Sequence, residues 1–190
     1  MAEVQEDFTK MVTHLFKSGE EMQKELTIMD LELIHAILGV SGEADEMITA
    51  INENDRENMV EELGDLEFYL NKIRTTLGLP EHCTPREEEL DPREQVFNHS
   101  EEFLPKIKDD LNILAGRILD IIKKVTIYRK PMNLESVADA LQDFDTVLEC
   151  AYRALGTYRE EILEYNIKKL GKRYQNGYSN QAAQDRADKQ

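Results

Sequence analysis

Two short acidic segments contain the residues whose types and spacing could do chemistry. Glu43 and Glu46 are three residues apart, and so are Glu62 and Asp65 further along the chain. On an α-helix this spacing puts both carboxylates of a pair on one face, about a turn apart. Grouped carboxylates repel one another unless a cation joins them, and hard oxygen ligands suit magnesium or manganese. The four acids are therefore a candidate metal site, although glutamate-rich helices also carry such spacings as plain surface charge.

The chain around these acids has the pattern of helices. Apolar residues recur at spacings of three and four, whereas the two-residue alternation of strands and a phosphate-cradling glycine loop are both missing. Residues 47–61 are enough to complete one helix, turn near residues 52–55 and begin an antiparallel partner. We therefore predict an all-α helical bundle in which the acids meet across a helical hairpin. The predicted helices begin near Phe8, Asp30, Asp55, Lys106, Asn133 and Tyr158.

Composition narrows the classes of function. The 39 acidic residues outnumber the 23 lysines and arginines, which gives a net charge of −16, so we expect no nucleic acid as a partner. No apolar run is long enough to span a membrane, and the N-terminus lacks the apolar core of a signal peptide. The two cysteines are too few for a disulfide framework. These features favour a cytoplasmic protein, in a host cytoplasm if a virus encodes it.

The acidic segments also resemble those of a known family. The stretch from His35 to Glu46 and the stretch from Val60 to Leu70 are similar to the ExxE, spacer, ExxD signature of MazG-like nucleoside triphosphate pyrophosphohydrolases. The resemblance implies the all-α NTP pyrophosphatase fold, with the four acids as catalytic magnesium ligands. It also implies that a nucleoside triphosphate is cut between its α and β phosphates, giving a monophosphate and pyrophosphate.

The second half resembles a damaged copy of the same unit. When the two halves are aligned on the family pattern, Leu114, Arg117 and Ala140 stand where the family has glutamates, and Asp143 stands where it has its aspartate. The resemblance therefore implies a fused pseudo-dimer with one composite site, to which the second half supplies substrate contacts. The residues expected to bind substrate are Lys123, Lys124, Tyr128, Lys130, Asn166, Lys169, Arg173 and Tyr174. The alternative for the cations near residue 125 is that they only favour a helix C-terminus.

These inferences divide the chain into four parts. Residues 1–79 form the first repeat with intact acids, residues 80–104 a proline-containing linker, residues 105–178 the degenerate second repeat, and residues 179–190 a disordered tail. A homodimer is compatible with this division. Two other functions stay open: a dUTP- or dCTP-specific pyrophosphatase of the same superfamily, and a helical nucleotide-binding or regulatory module without turnover.

Overall fold

The computed structural model describes residues 2–80 and 103–189. Within these ranges the chain is helical and contains no β-strand, which confirms the predicted all-α class. The helices are α1 (Ala2–Leu15), α2 (Gly19–Glu25), α3 (Ile28–Glu53), α4 (Arg56–Leu77), α5 (Leu104–Thr126), α6 (Leu134–Ala154), α7 (Arg159–Arg173) and α8 (Asn180–Asp185), followed by a 3-10 turn at Ala187–Lys189. Most of the predicted linker, residues 81–102, lies outside the described residues.

Helices α3 and α4 form the predicted antiparallel hairpin. Asn54 takes the left-handed conformation (φ 53°) that reverses the chain, and the Asp55 side chain caps α4 by accepting a 3.1 Å hydrogen bond from the Asn58 amide. At the other end Gly78, also left-handed (φ 65°), ends α4, because glycine adopts this conformation without a steric penalty. Asn133 likewise caps α6, as predicted. Local turn chemistry therefore fixes where these helices begin and end.

Helix α5 packs antiparallel along α3, so that the second half of the chain contacts the first half along this pair of helices. At one end the Lys108 ammonium donates a 3.1 Å bond to the Asn52 side chain, and at the other the Arg129 guanidinium donates a 2.8 Å bond to Asp30. Helix α6 returns along α5, and α7 packs against α4. The buried apolar side chains of α3 to α7 make one continuous core. The two halves therefore fold as one body.

The second hairpin, α5 and α6, gathers no cluster of carboxylates at the positions that align with the family's four acids, as the three replacements in the sequence lead us to expect. Leu114 and Ala140 are buried apolar residues, and Arg117 forms an ion pair with Asp143. The Arg117 guanidinium thus lies beside Asp143, the one acid kept at the four aligned positions. The two-repeat interpretation itself stays a prediction.

Two parts of the chain differ from expectation. The N-terminal region forms two helices and not one that begins near Phe8, because Ser18 starts a new helix with a capping box to Glu21. The segment after residue 178, which we expected to be disordered, contains α8 and the 3-10 turn. The Arg173 guanidinium donates two bonds of 2.6 Å to Asp188, and this bidentate pair ties the segment to α7. Among the helices described, none has the length and apolar character needed to cross a membrane.

Candidate metal centre

Three of the four predicted metal ligands come together across the α3–α4 hairpin. Glu43, Glu62 and Asp65 each offer a carboxylate oxygen, and the three oxygens lie within 4.8 Å of one another. Glu62 is buried, and the other two are half-buried. Hard anionic oxygens at this mutual spacing match the ligand preference of magnesium or manganese. The residues present therefore fit a divalent cation.

The electrostatics of the cluster show the strain that a cation would relieve. The pKa of Glu62 is raised to about 8, by burial first and then by a hydrogen bond with Glu43 and the negative charges of Glu43, Glu46 and Asp65. Burial is also the largest cause of the raised pKa of Glu43, and the charges of Asp65 and Glu46 add to it. Near neutral pH the pair shares a proton, since two ionised carboxylates so close together would repel.

Glu46, the fourth predicted ligand, occupies a different position. It is exposed on α3 and does not belong to the group of three whose oxygens lie within 4.8 Å. Its charge nevertheless contributes to the raised pKa values of Glu43 and Glu62, which places it within electrostatic reach of the cluster. Its role as a ligand stays a prediction.

Helix α7 brings two predicted substrate-binding residues to the acids. The Asn166 amide donates a 2.6 Å bond to Asp65 Oδ1, and the Lys169 ammonium bonds Asp65 Oδ2 and lies 3.5 Å from Glu61 Oε1. The close approach of α7 requires a residue without a side chain at Gly64, because a Cβ there would lie 2.9 Å from Asn166. The second half therefore touches the acids through α7.

The four predicted residues near the end of α5 lie elsewhere. Lys123 and Lys124 both form ion pairs with Asp120 on their own helix, and the other two, Tyr128 and Lys130, are exposed in the segment that follows it. Helix α5 faces the side of α3 that carries residues 41, 44, 45 and 48, whereas the Glu43 carboxylate faces α4. The described contacts therefore do not bring these four residues to the acids.

Tyrosine side chains gather beside the acids. The pKa of Tyr69 is raised by burial first, then by Glu43, Asp65 and the phenols of Tyr174 and Tyr178. The last two rings are 5.6 Å apart between centroids and tilted by 35°. Tyr69 can lie flat on α3 because Gly39 has no Cβ to meet its ring. Arg173, the remaining predicted residue, is paired with Asp188 next to this group.

Sequence reasoning missed two acids of α4. Glu61 is buried and lies within 4 Å of two cationic side chains, Lys169 and Arg186. Its i,i+4 spacing from Asp65 puts it on the same helix face, and that spacing could have identified it. Glu67 accepts bonds from Tyr152 (2.7 Å) and Arg159 (2.6 and 2.9 Å), and no spacing in the sequence signals this contact.

Comparison with known proteins bears on this same hairpin. Residues 32–73 match the family model described as the MazG nucleotide pyrophosphohydrolase domain. The matched segment runs from α3 into α4 and contains all four predicted ligands, so the MazG-like character of the hairpin is confirmed and indicates a nucleotide pyrophosphohydrolase. No curated protein and no solved structure matches the chain.

Proposed function

We propose that this chain, through its MazG-like hairpin, is a magnesium-dependent nucleoside triphosphate pyrophosphohydrolase, with manganese as an alternative ion. It would cut the bond between the α and β phosphates of ribo- or deoxyribonucleoside triphosphates and release a monophosphate and pyrophosphate. The observation that carries the proposal is the group of three carboxylate oxygens within 4.8 Å inside the segment that matches the MazG domain. A helical scaffold without turnover has no need for such a costly buried cluster of like charges.

The side chains of the cluster would bind the cation and release a proton to solvent as it binds. Glu43, Glu62 and Asp65 would be its ligands, and the proton shared by Glu43 and Glu62 would leave as it binds, since carboxylate ligands must be ionised. When bound, the ion would neutralise phosphate charge and lower the pKa of a water molecule. Asn166 would hold the Asp65 carboxylate in one orientation through its 2.6 Å bond, as outer-shell partners of metal ligands do.

The aromatic side chains beside the acids supply a surface for the base. Tyr69 and Tyr174 come from different halves of the chain and lie close enough for their phenols to interact. Flat, half-buried rings next to a phosphate-binding cluster suit the stacking of a nucleobase. The contacts predicted for Lys123, Lys124, Tyr128 and Lys130 rest on the resemblance alone.

The test is a product analysis on the full chain with magnesium and a panel of ribo- and deoxyribonucleoside triphosphates. We expect monophosphate and pyrophosphate as the first products, with oxygen from ¹⁸O-labelled water in the monophosphate. A panel in which only dUTP or dCTP reacts would identify the specialised alternative. Orthophosphate as the first product would mean that the β–γ bond is cut and would contradict the proposal.

A matched pair of variants ties the activity to the cluster. Asp65→Asn keeps the shape of the side chain but removes a ligand charge, and we expect kcat/KM to fall by more than about 100-fold, because losing an outer-shell partner alone costs about 10- to 100-fold. Asp45→Asn changes an exposed acid of α3 in the same way and should leave the rate near that of the wild type. Equal rates for the two variants would remove the assignment of the site.

A further inference from the structure

The ammonium group of Lys169 lies among the acidic side chains of α4. Its side chain is only 5% exposed, it bonds Asp65 Oδ2, and it is 3.5 Å from Oε1 of Glu61, whose side chain is also buried. A buried ammonium is stable only where carboxylates compensate its charge. Lys169 is therefore held in this position by two acids of the site.

Asp65 and Glu61 together form a position that would also suit a divalent metal ion. Each carboxylate oxygen has two lone pairs, so Asp65 can accept bonds from Asn166 and Lys169 and still offer oxygen to an ion held with Glu43 and Glu62. The space between Asp65 and Glu61, in contrast, is taken by the ammonium group. Without that group Asp65 and Glu61 would lose a positive charge that lies close to both carboxylates.

We propose that Lys169 is a resident counter-cation that takes the place of a second divalent ion, so that the site binds one divalent ion per chain. The inference rests on the proposed function, since it assumes that Glu43, Glu62 and Asp65 bind a metal. It also differs from our prediction that Lys169 contacts substrate phosphate, because an ammonium enclosed by Asp65 and Glu61 must leave both to reach a phosphate.

The test counts manganese ions bound to the full chain without nucleotide, from the electron paramagnetic resonance signal of free Mn²⁺. We expect one ion per chain in the wild type and two in Lys169→Met, which is uncharged and about as long. Lys169→Arg keeps the charge and should bind one ion. The control is Lys168→Met, which changes an exposed lysine of the same helix and should also leave the count at one.

A further variant shows which residues hold the second ion. Adding Glu61→Gln to Lys169→Met removes one of the two carboxylates that would bind the second ion, so the number of bound manganese ions should return from two to one. Two ions in the wild type, or one in both the wild type and Lys169→Met, would overturn the role of Lys169 and leave the proposed function standing. If circular dichroism shows that Lys169→Met is unfolded, the number of manganese ions bound to the wild type decides by itself. Two ions would overturn the inference, and one ion would support it. No manganese binding together with no pyrophosphate release in the wild type would instead refute the proposed function.

Discussion

Gly64 of α4 and Asn166 of α7 are in such close contact that a Cβ on the glycine would lie 2.9 Å from both Cβ and Nδ2 of the asparagine. The same Nδ2 donates the 2.6 Å bond to Asp65. A position without a side chain in the first hairpin thus allows the second half of the chain to reach Asp65, a proposed metal ligand. The contact couples the packing of two helices to the geometry of the acids.

The first prediction tests this contact with Gly64→Ala. The added methyl group should push Asn166 away from Asp65 and shift α7, so we expect kcat/KM to fall about 10- to 100-fold and stability to fall by about 1 to 3 kcal/mol. The matched control is Gly116→Ala on α5, where a Cβ meets nothing within 4 Å and the better helix former should stabilise by about 0.5 to 1 kcal/mol. Initial rates and urea unfolding measure both effects. Wild-type activity in Gly64→Ala would show that the Asn166 contact is not needed.

The second prediction concerns the pH dependence of stability without metal. In the folded chain the pKa of Glu62 is raised from 4.5 to about 8, mainly by burial. Between these values the folded state keeps a proton that the unfolded state has released, so the free energy of unfolding falls as pH rises through this window. In the presence of a chelator the unfolding temperature should fall by about 2 to 4 °C for each kcal/mol of stability that is lost.

Two comparisons identify the group responsible for that slope. Glu62→Gln cannot ionise and should flatten the decline, whereas Asp45→Asn, an exposed acid of α3, should keep it. Saturating magnesium should raise the unfolding temperature most at the alkaline end, where the acids are ionised and ready to bind it. A slope that is the same in Glu62→Gln and in the wild type would show that another group causes it.

The third prediction concerns the lysines at the end of α5. Lys124 is ion-paired with Asp120 on a helix that packs on a different side of α3 from Glu43. We therefore expect Lys124→Ala to leave kcat/KM within about threefold of the wild type, whereas Asn166→Ala should lower it about 10- to 100-fold. Steady-state kinetics on both variants shows whether the end of α5 or helix α7 contributes to the site. A large rise of KM in Lys124→Ala would instead support the composite site that the resemblance implies.

The fourth prediction concerns the ion pair buried between the two halves. Arg74 of α4 and Asp145 of α6 are 1% and 0% exposed, so Arg74→Met leaves a buried carboxylate without this partner and should cost about 3 to 5 kcal/mol. Adding Asp145→Asn removes that charge and should recover part of the loss. Lys10→Met, which breaks an exposed pair with Glu6, should change urea unfolding little. Equal losses of stability for Arg74→Met and Lys10→Met would mean that the buried pair between the halves stabilises the fold no more than an exposed pair does.

The sequence by itself determined the first hairpin and its acids. Spacings of three residues place Glu43 near Glu46 and Glu62 near Asp65 once a helix forms, and the caps at Asp55 and Gly78 depend on neighbouring residues only. Such features involve residues within about a turn of each other, so composition and periodicity predict them well. The same reasoning gave Asn133 as the start of α6.

Only the tertiary structure decided which parts of the second half reach the acids. The bonds from Asn166 and Lys169 to Asp65 span 101 and 104 residues of sequence, and the Arg173–Asp188 pair forms because α8 turns back toward α7. Helical periodicity shows that a residue lies on a face but not which helix covers that face. That choice depends on how the whole core packs, including gaps as small as the one at Gly64. For this reason the lysines of α5 and α7 looked equivalent in sequence, and only their packing separates them.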